Sequence, residues 1–351
     1  MNTERPTLYH TEQQPTQPVD YVTIANPLGR SPYIEQHQND SDESPEEETI
    51  EYLSEWLSVP PDSILLAKGS SAIIDVIPTA FTHPGDTCIL PIPTYFALKT
   101  PLENAGVQII RVPTSPENNY AINKDYIDRL LTDVRSYNPA LIWICTPNNP
   151  TGAIWDLRDI QEVSQNTNAL IVIDEAYHEY IDPYQTQSAI RLLCTTSNIL
   201  VTKTFSKAFG IPDARIGIAI GHPDTLSRLH SFPIEKPTAL ATTQASLALQ
   251  DMHHVERSAK YMQTESRYVQ SRVNAMRYIE LGSDPSCGML IIRHRTANLY
   301  QLLLNMGIQS MDINTQEGLE GLGYVRIGLK DRMKNEYLMN ILSACDRSFL
   351  E

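Results

Sequence analysis

Short apolar runs alternate with amphipathic segments from Ser63 to about residue 221. The runs are rich in β-branched residues: ILLA (64–67), TCILPI (87–92), VQIIRV (107–112), LIWIC (141–145), ALIVID (169–174) and NILVT (198–202). Continuously apolar strands separated by helices are typical of a parallel sheet that is covered on both faces. The pattern therefore predicts an α/β fold with a mostly parallel central sheet and helices on both of its faces.

The pattern changes after Pro223. Residues 238–279 contain neither glycine nor proline and have helical spacing, which predicts one helix of about 40 residues that links two domains. Beyond it, the runs GMLIIRH and YVRIGL and a final helix from Asp331 predict a smaller α+β unit. We therefore expect an N-terminal arm with part of the small domain (1–40), a large domain (41–230) and a small C-terminal domain (231–351).

Charge and cysteine content argue against several classes of partner and of metal or disulfide site. The formal net charge of −15 argues against nucleic acid or an anionic membrane as a partner. The five cysteines are scattered, which favours buried thiols in a reducing compartment over disulfides or a zinc site. No apolar run approaches the roughly 20 residues of a membrane span, and the polar N-terminus predicts a flexible arm and no signal peptide. We expect a cytoplasmic protein with no membrane partner.

Polar residues follow the apolar runs where parallel strands end, at the edge where α/β proteins bind ligands. Thr204, Ser206 and Lys207 come just after the run NILVT, and Arg215 follows eight residues after Lys207. A lysine amine forms a Schiff base with an aldehyde, while hydroxyls and a guanidinium bind a phosphate. The cluster therefore suits a cofactor that carries both groups, as pyridoxal phosphate does.

Neighbouring strand ends supply the other groups that a pyridoxal phosphate site needs. Asp174 ends the run ALIVID, where its carboxylate can keep the pyridine nitrogen protonated. Tyr177 and Asn149 can reach the ring's phenolic oxygen, and Tyr95 can stack on the ring. The sequence Gly69-Ser70-Ser71 opens a predicted helix whose N-terminus can bind the phosphate.

Three segments carry a resemblance to a known family: TPNNPTG (146–152), VIDEAYHEY (172–180) and TFSKAFGIPDARIG (204–217). They resemble the fold-type-I pyridoxal-phosphate enzymes of aminotransferase class I/II, and within that group the histidinol-phosphate aminotransferase branch. The similarity runs in order from NPLGRSP (26–32) to YVRIGLKDR (324–332). It therefore covers most of the chain.

The resemblance assigns roles to individual residues. It implies that Lys207 holds pyridoxal 5′-phosphate as the Schiff-base lysine, with Asp174 and Tyr177 as catalytic partners. The implied cofactor ligands are Ser70, Ser71, Tyr95, Asn149, Asp174, Tyr177, Thr204, Ser206, Lys207 and Arg215. Arg326 is expected to bind the substrate's carboxylate or phosphate, and Asn26 to contact the substrate.

The implied reaction is the transfer of an amino group from an amino acid or an amino-alcohol phosphate to a 2-oxo acid, by a homodimer. One alternative is decarboxylation of a phosphorylated amino acid, as in the threonine-phosphate decarboxylases. Another is a binding or regulatory protein with a vestigial site. The bond that breaks at the substrate's Cα depends on substrate orientation over the ring, which the sequence does not reveal.

The chain departs from the family pattern in two places. It has Ser71-Ala72 where relatives usually carry an acidic pair, and SDES (41–44) where relatives carry a tyrosine that reaches the neighbouring subunit. Beside the aspartate, we expect Glu175 to be structural and residues 178–180 to lie on the surface. His253, His254 and His294 have no partner at metal-ligand spacing, so we expect no metal site.

Overall fold

The computed structural model describes residues 18–38, 46–181, 187–283 and 287–347. The expected N-terminal arm, apart from its last residues, and the SDES segment lie outside the described residues. No helix in the described part of the chain is long and apolar enough to span a membrane.

The strands and helices alternate through the first two thirds of the chain, as the apolar pattern predicts. The strands are β1 (Val19–Asp20), β2 (Ile64–Ala67), β3 (Thr87–Ile92), β4 (Gln108–Pro113), β5 (Leu141–Cys145), β6 (Leu170–Asp174), β7 (Ile199–Thr204), β8 (Gly217–Gly221), β9 (Ile279–Leu281), β10 (Met289–His294), β11 (Ile308–Gln309), β12 (Met311–Asp312) and β13 (Val325–Gly328). The helices are α1 (Pro32–His37), α2 (Glu46–Leu57), α3 (Ser70–Phe81), α4 (Lys99–Asn104), α5 (Lys124–Tyr137), α6 (Leu157–Gln165), α7 (Pro223–His230), α8 (Ala239–Gln250), α9 (Met252–Asn274), α10 (Leu299–Asn305) and α11 (Arg332–Arg347).

Seven strands form the central sheet, in the order β2-β8-β7-β6-β5-β3-β4. The pairs among β7, β6, β5, β3 and β4 are parallel, and β8 pairs antiparallel with β7 and with β2. The predicted α/β fold with a mostly parallel sheet is confirmed. Because β3, β5, β6 and β7 run in the same direction, their carboxyl ends meet at one edge.

Both faces of this sheet are buried. Along β5, Ile142 and Ile144 belong to one apolar core, whereas Leu141 and Trp143 belong to a second. Successive side chains of a strand point to opposite faces, so the two cores lie on opposite sides of the sheet. This explains why β5, which is buried on both faces, is apolar at every position and does not alternate with polar residues.

A second sheet holds the C-terminal strands. It is antiparallel, in the order β12-β13-β10-β9, and Arg326 lies in β13. The N-terminal strand β1 pairs with β11, with Val19 opposite Ile308. The expected domain boundaries near residues 40 and 230 stay a prediction.

The prediction of one continuous helix of about 40 residues is wrong. Two helices, α8 and α9, occupy this stretch and meet at Asp251, whose backbone (φ −116°, ψ 54°) is not helical. The carboxylate of Asp251 instead accepts a hydrogen bond from Ser31 Oγ. Ser31 lies 220 positions away in sequence, so neither this contact nor the absence of glycine and proline could reveal the break.

Candidate active site

A cavity of about 380 Å³ opens at the carboxyl edge of the central sheet, between that edge, β13 and residues 22–24. Of the twelve predicted site residues, eleven line it: Ser70, Ser71, Tyr95, Asn149, Asp174, Tyr177, Thr204, Ser206, Lys207, Arg215 and Arg326. The fold brings these residues together although they are spread over more than 250 positions of sequence: most follow strands of the central sheet, and Arg326 comes from β13 of the second sheet. Asn26 is the exception.

The phosphate-binding end that we predicted consists of the start of α3 and Arg215. Gly69 precedes the helix with φ +82°, a conformation that favours glycine. Arg215 Nη2 donates a hydrogen bond to Ser71 Oγ (3.1 Å). The N-terminus of a 12-residue helix leaves backbone N–H groups without intrahelical partners, so this end of the cavity has the donors and positive charge that an anion requires.

Gly217 makes this arrangement possible, and sequence reasoning missed it. A Cβ atom at Gly217 would lie 2.0 Å from the backbone nitrogen of Ser70. Only glycine allows the start of β8 to pack so closely against the start of α3. The glycine in RIGIA, inside an apolar strand, was the available signal, because such a glycine often marks a close approach of another backbone.

Asp174 lies at the carboxyl end of β6, with 3% of its surface exposed. Its Oδ1 accepts a hydrogen bond from the backbone N–H of Ala176 (3.1 Å). Burial raises the pKa of Asp174 to about 6, so the carboxylate is mostly ionised at pH 7. A buried carboxylate in a cavity is stabilised when a cation binds opposite it.

Lys207 faces the same cavity. Its Nζ donates a hydrogen bond to the carbonyl oxygen of Ile24 (3.0 Å) and lies 5.3 Å from the centroid of the Tyr177 ring. Burial and the neighbouring cations Arg326 and Lys330 lower the pKa of Lys207 to about 8. Part of this amine is therefore unprotonated, and hence nucleophilic, near neutral pH.

Arg326 reaches the cavity from the C-terminal sheet. Its Nη1 donates to Asn149 Oδ1 (2.9 Å), and its Nη2 donates to the carbonyl oxygen of Val22 (2.7 Å). Its Nε is buried and has no hydrogen-bond partner among the described residues. A buried donor without a partner is costly, so a ligand oxygen at this place would be stabilised.

The remaining predicted residues surround the space between these groups. Tyr177 is buried, whereas Tyr95, which follows the carboxyl end of β3, is partly exposed, and burial raises its pKa. Two apolar residues that sequence reasoning missed, Phe96 and Met311, also line the cavity. Phe96 is 56% exposed, so it lies at the cavity mouth.

Asn26 is not among the residues that line the cavity, and its expected contact with the substrate stays a prediction. Its Nδ2 donates to the carbonyl oxygen of Ala208 (2.6 Å) and to Ser258 Oγ (2.8 Å), and its Oδ1 accepts from the N–H of Leu28 (2.8 Å). These bonds connect the N-terminal segment to the loop after Lys207 and to α9. The neighbouring residues 22–24 line the cavity instead.

A buried ionic cluster lies beside the site. Lys203 Nζ is 2.7 Å from Glu175 Oε2 and 2.6 Å from Glu179 Oε1. Glu175 also accepts from Ser188 Oγ and from the N–H of Ala189. The expected surface location of residues 178–180 is wrong for Tyr180, which is fully buried, because the chain turns inward after β6 to place Glu179 on Lys203.

The cavity fits pyridoxal 5′-phosphate in its donor set. Its lining includes hydroxyls and the N-terminus of a helix, a buried carboxylate, and a lysine with a lowered pKa. A phosphate, a protonated ring nitrogen and an aldehyde require these three kinds of partner.

Comparisons with known proteins agree with this chemistry. Residues 34–342 match the family model "Aminotransferase class I and II". The histidinol-phosphate aminotransferase of Thermoanaerobacter sp. (strain X514) is 28% identical over 302 residues, which cover 84% of this chain and 81% of that protein.

Two solved structures share the fold. One is the histidinol-phosphate aminotransferase from Sinorhizobium meliloti in complex with pyridoxal-5′-phosphate, with TM-score 0.78, 19% identity and coverage of 93% of this chain and 90% of that chain. The other is L-threonine-O-3-phosphate decarboxylase from Porphyromonas gingivalis, with TM-score 0.77, 20% identity and coverage of 93% and 98%. The family model spans most of the chain, and the chain therefore belongs to aminotransferase class I and II, the pyridoxal-phosphate-dependent transaminases of this fold.

Proposed function

We propose that this aminotransferase takes an anionic amino donor, either an amino acid or an amino-alcohol phosphate such as histidinol phosphate, and passes its amino group to a 2-oxo acid. One observation carries the proposal: a buried carboxylate, Asp174, and a lysine of lowered pKa, Lys207, line one cavity together with Arg326, whose Nε has no partner among the described residues. The first two suit the cofactor, and the third suits a substrate anion.

The cofactor's place follows from the donors. We infer that Ser70, Ser71, Thr204, Ser206 and Arg215 hold its phosphate, that Asp174 faces the ring nitrogen, and that Tyr95 stacks on the ring. Tyr177 and Asn149 are proposed to hold the phenolic oxygen. When bound, pyridoxal phosphate draws electron density away from the substrate's Cα.

The residues of the chain handle binding and the proton. Lys207 Nζ is the proposed covalent attachment point and, once released, the base that accepts the Cα proton. Arg326 is proposed to bind the donor's carboxylate or phosphate, for which a planar guanidinium with several N–H groups is better suited than an ammonium. By orienting the donor, Arg326 selects the Cα bond that breaks.

A panel of amino donors with 2-oxoglutarate tests the proposal. We expect glutamate to form from at least one carboxylate- or phosphate-bearing donor. Arg326→Lys should raise the KM for that donor strongly, since an ammonium lacks the planar set of N–H donors by which a guanidinium binds a carboxylate or phosphate. Release of carbon dioxide from a phosphorylated amino acid, with no glutamate from any donor, would replace transamination by decarboxylation.

We also propose a cytoplasmic homodimer. Large apolar side chains of Leu28 and Leu240 are exposed at 40% and 57%, which a second copy could cover. The scattered cysteines, four of them buried, fit a reducing compartment. Sedimentation at micromolar concentration should give the mass of two chains, and a cofactor-bound monomer would exclude the dimer.

A further inference from the structure

Three successive backbone carbonyls of residues 22–24, which we call the strap, accept hydrogen bonds from three cationic side chains. The bonds are Arg326 Nη2 to Val22 O (2.7 Å), Lys330 Nζ to Thr23 O (2.5 Å) and Lys207 Nζ to Ile24 O (3.0 Å). All three strap residues line the cavity. The strap therefore connects the proposed substrate-binding arginine, the proposed cofactor lysine and one residue, Lys330, that has no role so far.

The strap is seated on β13. The N–H of Gly328 donates to the carbonyl oxygen of Tyr21 (2.7 Å). A Cβ atom at Gly328 would lie 2.6 Å from Thr23 O. Arg326 and Gly328 lie two residues apart in β13, the period that places residues on one side of a strand, and Lys330 follows two residues after the strand ends. Arg326 and Lys330 thus lie before and after Gly328 in sequence, and both bind the strap. The missing side chain of Gly328 allows the strap to pack against β13.

Lys330 has a firmly held backbone. Its N–H donates to Asn335 Oδ1 (2.9 Å), and its carbonyl oxygen accepts from Asn335 Nδ2 (2.7 Å). Asn335 is fully buried and also donates to Glu265 Oε2 (2.9 Å). Since the Lys330 backbone is anchored to α9 and α11 in this way, its half-buried side chain spans a short and defined distance to Thr23 O.

We propose that Lys330 is a positioning residue: by holding Thr23 O it keeps the strap on Gly328, so that Val22 O orients the guanidinium of Arg326 toward the substrate anion. The inference rests on the proposed role of Arg326. If Lys207 is the attachment point for the cofactor, its Nζ would no longer be free to donate to Ile24 O in the loaded protein, and the strap carbonyls would depend on Arg326 and Lys330. Loss of Lys330 should therefore loosen the strap most in the loaded enzyme.

The test compares Lys330→Met with three other variants of the holoenzyme. Lys330→Arg restores a cationic donor, and Lys334→Met removes a neighbouring charge that pairs with Asp331 at 3.0 Å. Gly328→Ala displaces the strap without changing any charge. The measurements are amide hydrogen exchange of a peptide that covers residues 21–24, and KM and kcat for the amino donor.

We expect Lys330→Met to raise the KM for the amino donor about tenfold, the low end for loss of a hydrogen bond to a charged group, with kcat changed far less. Exchange in the strap should become faster. Gly328→Ala should change KM and exchange in the same direction, while Lys330→Arg and Lys334→Met should match the wild type in both.

Two results would overturn the proposal. If Lys330→Met leaves strap exchange unchanged, Lys330 does not hold the strap. If Lys330→Met raises KM but Gly328→Ala does not, Lys330 acts through its charge alone. Failure of the proposed function looks different: the wild type would turn over no amino donor, while exchange would still report whether Lys330 holds the strap.

Discussion

Two lysines four residues apart, Lys203 and Lys207, have opposite surroundings. Lys203 is 4% exposed and lies between the carboxylates of Glu175 and Glu179. Burial disfavours its charge, but these carboxylates outweigh burial and raise the pKa of Lys203 above its usual range. Near Lys207 the closest charges are mainly cations, and they add to burial in lowering its pKa to about 8.

The difference shows that neighbours decide which lysine can react. An amine is a nucleophile only when it is unprotonated, so Lys203 is inert and serves the structure, whereas Lys207 is available for chemistry. The cluster on Lys203 also serves the site. Glu175 directly follows Asp174, and its N–H donates to Thr202 O (2.9 Å). Together with the ion pair between Glu175 and Lys203, this bond connects the carboxyl ends of β6 and β7, close in sequence to Asp174 and Lys207.

The largest expected effect comes from Lys207. Lys207→Ala should lower turnover by about 10⁴-fold, since it removes the general base as well as the attachment point. Borohydride reduction of the wild-type holoenzyme followed by peptide mapping should place a pyridoxyl label on Lys207. A label on Lys203 would show that Lys203, and not Lys207, is the reactive lysine.

Lys203→Met should destabilise the protein by about 3–5 kcal/mol, because it leaves two buried carboxylates without their cation. Urea unfolding of the cofactor-free protein measures the change in the free energy of unfolding. The matched control is Lys334→Met, whose exposed pair with Asp331 should contribute less than about 1 kcal/mol. Equal losses in the two variants would mean that burial of the cluster has no energetic consequence.

Asp174→Asn should keep cofactor binding but lower turnover by about 10²–10³-fold, the usual effect of losing a preorganised electrostatic partner. The control Asp156→Asn makes the same change at the N-cap of α6, where asparagine caps as well as aspartate. Steady-state kinetics and a cofactor titration measure the two properties. Near-normal turnover in Asp174→Asn would refute its role opposite the ring nitrogen.

The smallest effect is a pH dependence of stability. The pKa of Lys207 falls from 10.5 to about 8 on folding, so the unfolded chain binds more protons between these values. The free energy of unfolding of the cofactor-free protein should therefore rise with pH from about 8 to 10.5. Lys207→Met should be more stable than the wild type below pH 8, by about 1–2 kcal/mol, since the amine is partly exposed. A gain that persists above pH 10.5 would exclude this cause.

Much of the site could be predicted because two rules place most of its residues: apolar runs form buried strands, and parallel strands end at one edge of the sheet. The run ALIVID is apolar at every position before Asp174, and the next strand leads to Lys207. Parallel strands end at one edge, so the sequence already predicted that these two residues lie at the same edge of the sheet. The α3 start at Ser70 was likewise predicted from local sequence and is confirmed as a helix N-terminus.

Other features depend on contacts between residues far apart in sequence, which no local pattern records. The strap carbonyls meet Arg326 and Lys330 from about 300 positions away, and backbone carbonyls carry no residue-type signal at all. The break between α8 and α9 at Asp251 involves a bond from Ser31. Neither the break nor this contact was visible in the helical spacing of the sequence.

The sequence by itself determined the alternation of strands and helices and the edge of the sheet at which most of the predicted site residues gather, because burial on two faces demands apolar runs and parallel strands share their ends. Only the tertiary structure decided how those residues are charged and oriented. Lys203 and Lys207 are the same residue type in one segment, and their protonation differs because folding brings carboxylates to one and cations to the other.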